Sequence, residues 1–151
     1  MKPSMVNKAQ LSAVTSKLPM FKSMHIPDRD QVLKHARIWV AQPEETIIEM
    51  GVEEHFLYVL LAGKATVHLE EEGVSVADVN PGDLFGEMGF ILNVPRNTWV
   101  IAQDTCILLR IDHQVMGKLT APIREKIKDH IIEKLAKSLT NANENLKLSD
   151  E

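Results

Sequence analysis

An acid and an arginine lie close together in one glycine-rich stretch of the chain. Glu87 stands between Gly86 and Gly89, and Arg96 follows after a short spacer. Glycines permit a tight turn and let backbone N–H groups approach a ligand that a Cβ would obstruct. The planar guanidinium of arginine matches two phosphate oxygens at once. These residue types predict a binding site for a small molecule that carries a phosphate.

The acid restricts the ligand further, because a carboxylate by itself repels a phosphate. Glu87 suits an anionic ligand if it accepts a hydrogen bond from a sugar hydroxyl beside the phosphate. The ligand is then a compact ribose phosphate with its anion close to the 2′-hydroxyl, and a 3′,5′-cyclic nucleotide fits this description. Taken alone, Glu87 is equally compatible with a solvated helix start, and Arg96 by itself favours a surface position over a ligand contact. Their combination with the glycines favours ligand recognition.

The residues next to this pair allow two interpretations each. An amide directly after the arginine, Asn97, can donate to a phosphate oxygen or to the purine, but it is also a common turn residue. The side chain of Thr98 points either toward the ligand or toward the interior of the protein. Phe85 and Trp99 lie in strand-like runs, which favours a place in the core over stacking on a base.

Two runs of this stretch, residues 85–90 and 95–100, resemble the phosphate-binding cassette of the cyclic-nucleotide-binding domain family. The likeness extends over nearly the whole chain. Residues 18–24 are similar to an N-terminal segment of that family, and residues 56–67 are similar to its central hairpin. The family includes catabolite-activator transcription factors, regulatory subunits of cyclic-nucleotide-dependent kinases and cyclic-nucleotide-gated channels.

The resemblance implies roles for individual residues. It implies that Glu87 binds the ribose 2′-hydroxyl, that Arg96 binds the cyclic phosphate, and that backbone groups of Gly86 and Met88 line the pocket. Asn97 stands where the family most often has Ala, Ser or Thr, so the choice between cAMP and cGMP stays open. The resulting candidates for ligand binding are Phe85, Gly86, Glu87, Met88, Gly89, Arg96, Asn97 and Thr98.

Length and composition predict one soluble domain spanning residues 1–151. Of these 151 residues, 44% are hydrophobic and 25% are charged, which are ordinary globular values. No apolar run approaches the roughly 18 residues that span a bilayer, and no signal-peptide core follows the first residues. With a single cysteine, Cys106, the chain is expected to be cytoplasmic. A net charge of −4 argues against binding nucleic acid.

Periodicity predicts a mainly β protein with flanking helices, organised as a double-stranded β-helix (jelly-roll) barrel. The N-terminal helical part, residues 7–36, contains a helix from Asn7 to Lys17 that Pro19 ends, and a second helix that Asp28 caps. Short β-branched runs separated by turns fill residues 38–111, and the cassette adds a helix from Glu87 to Leu92. The predicted strands are residues 38–41, 46–49, 56–62, 65–69, 74–79, 99–102 and 106–111.

The C-terminal part, residues 113–148, is predicted to form two helices, the first capped by Asp112 and the second starting near Pro122. No aromatic residue follows Trp99, so a lid over the base must be aliphatic or come from another subunit. The candidate lid residues are Ile127, Ile131 and Leu135. A heptad-like seam either packs on the barrel or pairs with a second copy in a homodimer. Its residues are Ile132, Leu135, Leu139, Ala142 and Leu146.

Enzymatic functions lack their motifs in this sequence. There is no Gly-x-Ser-x-Gly elbow, no Cys–His signature around Cys106, and no His-x-His pair of the kind that holds a metal in cupin jelly rolls. We therefore expect no catalytic residue, no metal and no cofactor. The predicted function is a cyclic nucleotide sensor that signals through its C-terminal helix to an effector protein or to another domain of a longer chain. The alternative is a pocket without a cyclic nucleotide that acts as a protein-interaction module.

Overall fold

Two antiparallel sheets form the middle of the chain, and helices flank them on both sides in sequence. The computed structural model describes residues 1–5 and 7–149. In chain order the elements are β1 (Lys2–Pro3), α1 (Lys8–Thr15), α2 (Pro19–Lys22), α3 (Ile26–His35), β2 (Arg37–Ala41), β3 (Thr46–Ile48), β4 (Leu57–Ala62), β5 (Ala65–His68), β6 (Ser75–Val79), β7 (Leu84–Phe85), α4 (Glu87–Ile91), β8 (Trp99–Ala102), β9 (Cys106–Ile111), α5 (His113–Lys118) and α6 (Ala121–Ser149).

The strand order is that of two sheets linked by crossovers. One sheet has the order β1-β2-β9-β4-β7 and the other has the order β3-β8-β5-β6. Every strand pair in the described part of the chain is antiparallel. The predicted jelly roll with flanking helices is therefore confirmed.

The strand β4 is covered on both faces, which explains its continuous apolar sequence. Leu57, Val59 and Leu61 pack with the helices in one hydrophobic core. Tyr58 and Leu60 point the other way, into a second core between the two sheets. Side chains alternate along a strand, so an apolar residue is required at each of these positions.

One helix start, one short helix and two short strands differ from the sequence prediction. Helix α3 begins at Ile26, with His25 rather than Asp28 at its N-cap, because Pro27 fits a first turn in which its missing N–H costs no hydrogen bond. Pro19 begins the short helix α2 as well as following α1. Strands β1 and β7 have two residues each, a length at which periodicity carries no signal.

Helix α6 is packed in its first half and exposed from residue 136 to residue 146. Residues four apart face the helix-side core, namely Ile123, Ile127 and Ile131, with Leu135 partly buried beside them. Ile132, Leu139 and Leu146 of the predicted seam are 62%, 64% and 63% exposed.

The prediction that the seam packs on the barrel is therefore wrong, apart from Leu135. Ile132 lies about 100° around the helix from Ile131, so it points away once Ile131 is buried. Pairing of the seam with a second copy stays a prediction. None of the described helices combines the length and the apolar character needed to cross a membrane.

Candidate ligand-binding site

A left-handed glycine turns the chain from β7 into the short helix of the cassette. Gly86 has a φ of 79° and is the N-cap residue of α4, a conformation that costs little only for glycine. After α4 the chain returns toward β8 through a loop that backbone hydrogen bonds hold in place. Arg96 N donates to Val52 O at 2.9 Å, and Gly51 N donates to Arg96 O at 2.8 Å. These hydrogen bonds hold the main chain of Arg96 in place independently of its side chain.

The guanidinium of Arg96 is buried and lacks a carboxylate partner. The residue is 5% exposed, and no salt bridge to it occurs within residues 1–5 and 7–149. Its Nη1 donates to Gly86 O at 2.9 Å and its Nη2 donates to Phe56 O at 2.7 Å. Its Nε is buried without a hydrogen-bond partner. A buried cation with a free donor is the arrangement that binds an anion most favourably.

Burial lowers the pKa of the Arg96 guanidinium, while Tyr58, Glu54 and Glu87 act to raise it. Arginine nevertheless remains protonated in proteins, because its intrinsic pKa is far above neutrality. The positive charge is therefore retained in a place where water solvates it poorly.

The two cassette glycines make room for this guanidinium. A Cβ on Gly89 would lie 2.5 Å from Arg96 Nη1 and 2.9 Å from Glu54 O, and a Cβ on Gly86 would lie 3.2 Å from the same Nη1. The sequence suggested that the missing side chains let the backbone approach a ligand. In the structure the space that they free is filled by the arginine, which gives both glycines a role in positioning it.

The acid of the site is paired with a residue that the sequence analysis missed. Lys134 Nζ of α6 donates to Glu87 Oε2 at 2.9 Å. Ser138, one turn further along α6, lines the same cavity. The spacing of these two residues could have drawn attention to them. Lys134 and Ser138 are polar, lie four residues apart on one face of α6, and are next to the buried residues of that helix.

A cavity of about 470 Å³ lies between α4, the loop before β8 and α6. This volume is within the usual range for small-molecule sites, roughly 300–1,000 Å³. All of the ligand-binding candidates predicted from the sequence line it, and Ile48, Val67 and Val100 supply apolar wall. Its lining residues are Ile48, Val67, Phe85, Gly86, Glu87, Met88, Gly89, Val94, Pro95, Arg96, Asn97, Thr98, Val100, Lys134 and Ser138.

The predicted aliphatic lid does not face this cavity. Ile127 and Ile131 are buried in the helix-side core, and Leu135 packs against that core. Lys134 and Ser138 occupy the side of α6 that faces the cavity. Tertiary packing decides which face of a helix turns toward a site. The sequence alone therefore could not show whether Lys134 or the adjacent Leu135 faces the cavity. Phe85 is buried and stacks on Tyr58 with ring centroids 5.3 Å apart, which agrees with its interpretation as a core residue.

Two histidines fasten the cassette helix at its carbonyl end. His55 Nδ1 donates to Gly89 O and His113 Nε2 donates to Phe90 O, both at 2.8 Å. The His113 ring also stacks on Phe90, with centroids 4.2 Å apart. The last carbonyls of a helix have no partner within it, so these bonds satisfy them and hold α4 rigidly. Among the described residues, no group of three or more His, Cys, Asp or Glu side chains is arranged to hold a metal.

Comparison with protein families identifies the region that contains this site. Residues 39–121 match the family model described as the cyclic nucleotide-binding domain. The chain is similar to the cAMP-dependent protein kinase regulatory subunit of Yarrowia lipolytica, with 33% identity over 75 residues that cover 50% of this chain and 20% of that protein. It is also similar to the cGMP-dependent protein kinase of Plasmodium berghei, with 34% identity over 82 residues that cover 52% of this chain and 9% of that protein. The chain thus spans a small part of the length of these relatives.

Solved structures show the same fold. The structure described as cAMP-bound PfPKA-R (141–441) matches with a TM-score of 0.70 and 24% identity, over 90% of this chain and 47% of that chain. The Thermus thermophilus catabolite activator protein matches with a TM-score of 0.74 and 22% identity, over 86% of this chain and 62% of that chain. At this level of identity the likeness establishes the fold alone.

Proposed function

The chain belongs to the cyclic nucleotide-binding domain family, and from this premise we propose that it is a regulatory module that binds cAMP or cGMP beside α4 and signals through α6. The observation that carries the proposal is the buried Arg96 guanidinium without an anionic partner. Leaving a charge buried and unpaired is costly. A cyclic phosphate in the cavity supplies the missing anion.

The phosphate assignment follows from the donors that remain available. Two guanidinium nitrogens of Arg96 hold backbone carbonyls, and these bonds fix the plane of the group. The unpaired Nε lies in that same plane and is buried without a partner, and we propose that it donates to a phosphate oxygen. The carbonyl contacts thus orient the arginine in advance, which reduces the entropy lost when the ligand binds.

The sugar assignment rests on the position of Glu87. Its carboxylate lines the same cavity as Arg96, and an ionised carboxylate is a strong acceptor for a hydroxyl. The 2′-hydroxyl of a ribose is the group that this acceptor suits. The apolar wall of Ile48, Val67 and Val100 is suited to the sugar ring and the base.

The proposed role is regulatory rather than catalytic, in a cytoplasmic setting. The relatives that the chain matches are named as a kinase regulatory subunit and a cyclic-nucleotide-dependent kinase. We propose that the output passes through α6 to an effector protein or to another domain of a longer chain. The exposed second half of α6 is the surface available for such a partner.

The proposal is tested by substituting the arginine. Arg96→Gln should weaken the binding of cAMP and cGMP by about 30-fold or more, because loss of one member of a buried charge pair costs roughly 2–5 kcal/mol. The matched control is Arg37→Gln, which removes the same charge from an exposed position on β2 and should leave affinity unchanged. Isothermal titration calorimetry of the three proteins provides the comparison.

Two results of this titration would count against the proposal. Equal affinities for Arg96→Gln and the parent would show that the phosphate binds elsewhere. A folded parent that binds neither nucleotide would favour the alternative function, an interaction module without a cyclic nucleotide.

A further inference from the structure

Helix α6 reaches the cavity through one charged side chain. Lys134 Nζ lies 2.9 Å from Glu87 Oε2, and the two side chains are 35% and 12% exposed. The next ion pair on the same helix, Lys137 with Glu133, has side chains that are 73% and 58% exposed. An exposed pair of that kind contributes little. The Lys134–Glu87 pair is better shielded from water and connects two elements that are distant in the sequence.

The charges around the cavity balance a singly charged anion only when Lys134 is included. Arg96 and Lys134 are positive and Glu87 is negative. These three charged side chains line the cavity, and their sum is one net positive charge, which matches the single negative charge of a cyclic phosphate. Outside this lining, Glu54 acts to raise the pKa of Arg96 and Arg110 acts to lower it. Without Lys134 the net charge of the lining is zero, because the negative charge of Glu87 then cancels the positive charge of Arg96 and leaves no net attraction for the phosphate.

The carboxylate of Glu87 can serve Lys134 and a sugar hydroxyl together. Lys134 uses Oε2, while Oε1 accepts no hydrogen bond from any residue that the structure describes. A carboxylate accepts hydrogen bonds on both oxygens, and an ammonium group has three donors. Lys134 also lines the cavity itself, beside Ser138. Glu87 can therefore bind Lys134 and the ligand at the same time, so Lys134 need not compete with the ligand for the carboxylate.

We propose that Lys134 is a ligand-recognition residue, supplied by α6, that completes the charge of the site and fastens this helix to the bound cyclic nucleotide. The inference rests on the proposed function, and it adds the residue through which the ligand and the helix are coupled. Ligand binding strengthens the attachment of α6 because the Lys134 ammonium is then attracted by both the phosphate and the Glu87 carboxylate in a site with little water.

The test compares two lysines of the same helix. Lys134→Met should weaken binding of cAMP and cGMP by about 10-fold or more, the loss typical of a hydrogen bond to a charged group. Lys137→Met removes the same charge one turn away and should stay within about twofold of the parent, because the Lys137–Glu133 pair is exposed. Lys134→Arg keeps the charge and the donors and should recover most of the affinity. Circular dichroism confirms that each variant is folded.

A second readout separates recognition from simple stabilisation of the helix. In the parent, saturating cyclic nucleotide should slow amide hydrogen exchange in residues 127–139, because opening of α6 must then break contacts with the ligand. In Lys134→Met, at a ligand concentration raised to restore saturation, this slowing should be lost, whereas Lys137→Met should retain it.

The possible failures are distinguishable. A parent that binds normally, with Lys134→Met equal to it in affinity and in exchange, overturns the inference and leaves the proposed function intact. Tighter binding by Lys134→Met also overturns it, because the lysine would then compete with the ligand for Glu87. A parent that binds no cyclic nucleotide overturns the proposed function and this inference together.

Discussion

At the scale of single residues, the site consists of three charges at different depths. Arg96 is the most buried, Glu87 is almost as buried, and Lys134 is partly exposed. Electrostatic interactions are strongest where water is excluded, so the arginine contributes most to holding an anion. Its position in turn depends on residues that carry no charge, above all the cassette glycines.

Gly89 is the residue at which this dependence is easiest to test. Gly89→Ala should weaken cyclic nucleotide binding at least about tenfold, because the new Cβ would lie 2.5 Å from Arg96 Nη1 and displace the guanidinium. Gly117→Ala in α5 is the matched control, since nothing lies within 4 Å of its added Cβ. That control should bind normally and be more stable by about 0.5–1 kcal/mol, the usual gain for alanine over glycine in a helix. Calorimetric titration and chemical denaturation provide both measurements, and normal binding by Gly89→Ala would contradict the proposed role of the glycine.

Glu87 can be tested with a modified ligand. For the parent, removing the 2′-hydroxyl from the cyclic nucleotide should cost about 1.5–3 kcal/mol, the range for a hydrogen bond to a charged group. Glu87→Gln should lose a similar amount with the natural ligand and little more with the 2′-deoxy ligand. Affinities of both proteins for both ligands form a double-mutant cycle. Losses that add in full would mean that the acid and the hydroxyl do not interact.

At the scale of elements, the two halves of α6 differ in how they are packed. Its first half completes the helix-side core and brings Lys134 to the cavity, while its second half extends beyond the core with exposed leucines. A change in the first half should therefore affect the fold and the site, whereas a change at the exposed leucines should leave the fold unaffected. The predicted homodimer would use this second half.

Replacing an aliphatic side chain of α6 with alanine should lower the free energy of unfolding by different amounts in its two halves. Ile127→Ala should destabilise the protein by about 2–5 kcal/mol, because Ile127 is fully buried and its loss leaves a cavity. Leu139→Ala should change stability by no more than about 0.5 kcal/mol, because Leu139 is exposed. Urea denaturation at low protein concentration, where a dimer would dissociate, measures both changes. A large loss of stability in Leu139→Ala would show that this half of α6 is packed after all.

At the scale of the whole molecule, the barrel holds together residues that are far apart in the sequence. The longer strands were predictable because their signal is local: β4 and β9 are apolar runs between turns, whereas β1 and β7, with two residues each, carry no such signal. That Glu87 and Arg96 lie at one cavity was predictable for the same reason, since both belong to one short stretch. The Lys134–Glu87 contact joins residues 47 positions apart, and no local pattern encodes it. Ile131 is buried in the helix-side core, while Lys134, about 60° away around α6, lines the cavity; a role of the predicted lid residues in binding stays a prediction.

We propose that the unpaired Nε of Arg96 binds the phosphate of a cyclic nucleotide. Nuclear magnetic resonance observes arginine Nε–H groups directly, and the Arg96 signal is identified by its absence from the spectrum of Arg96→Gln. On saturation with cAMP or cGMP, this signal should shift downfield and exchange more slowly with water, because the proton enters a charge-assisted hydrogen bond. An Arg96 signal that stays in place in the presence of excess cyclic nucleotide would contradict the claim.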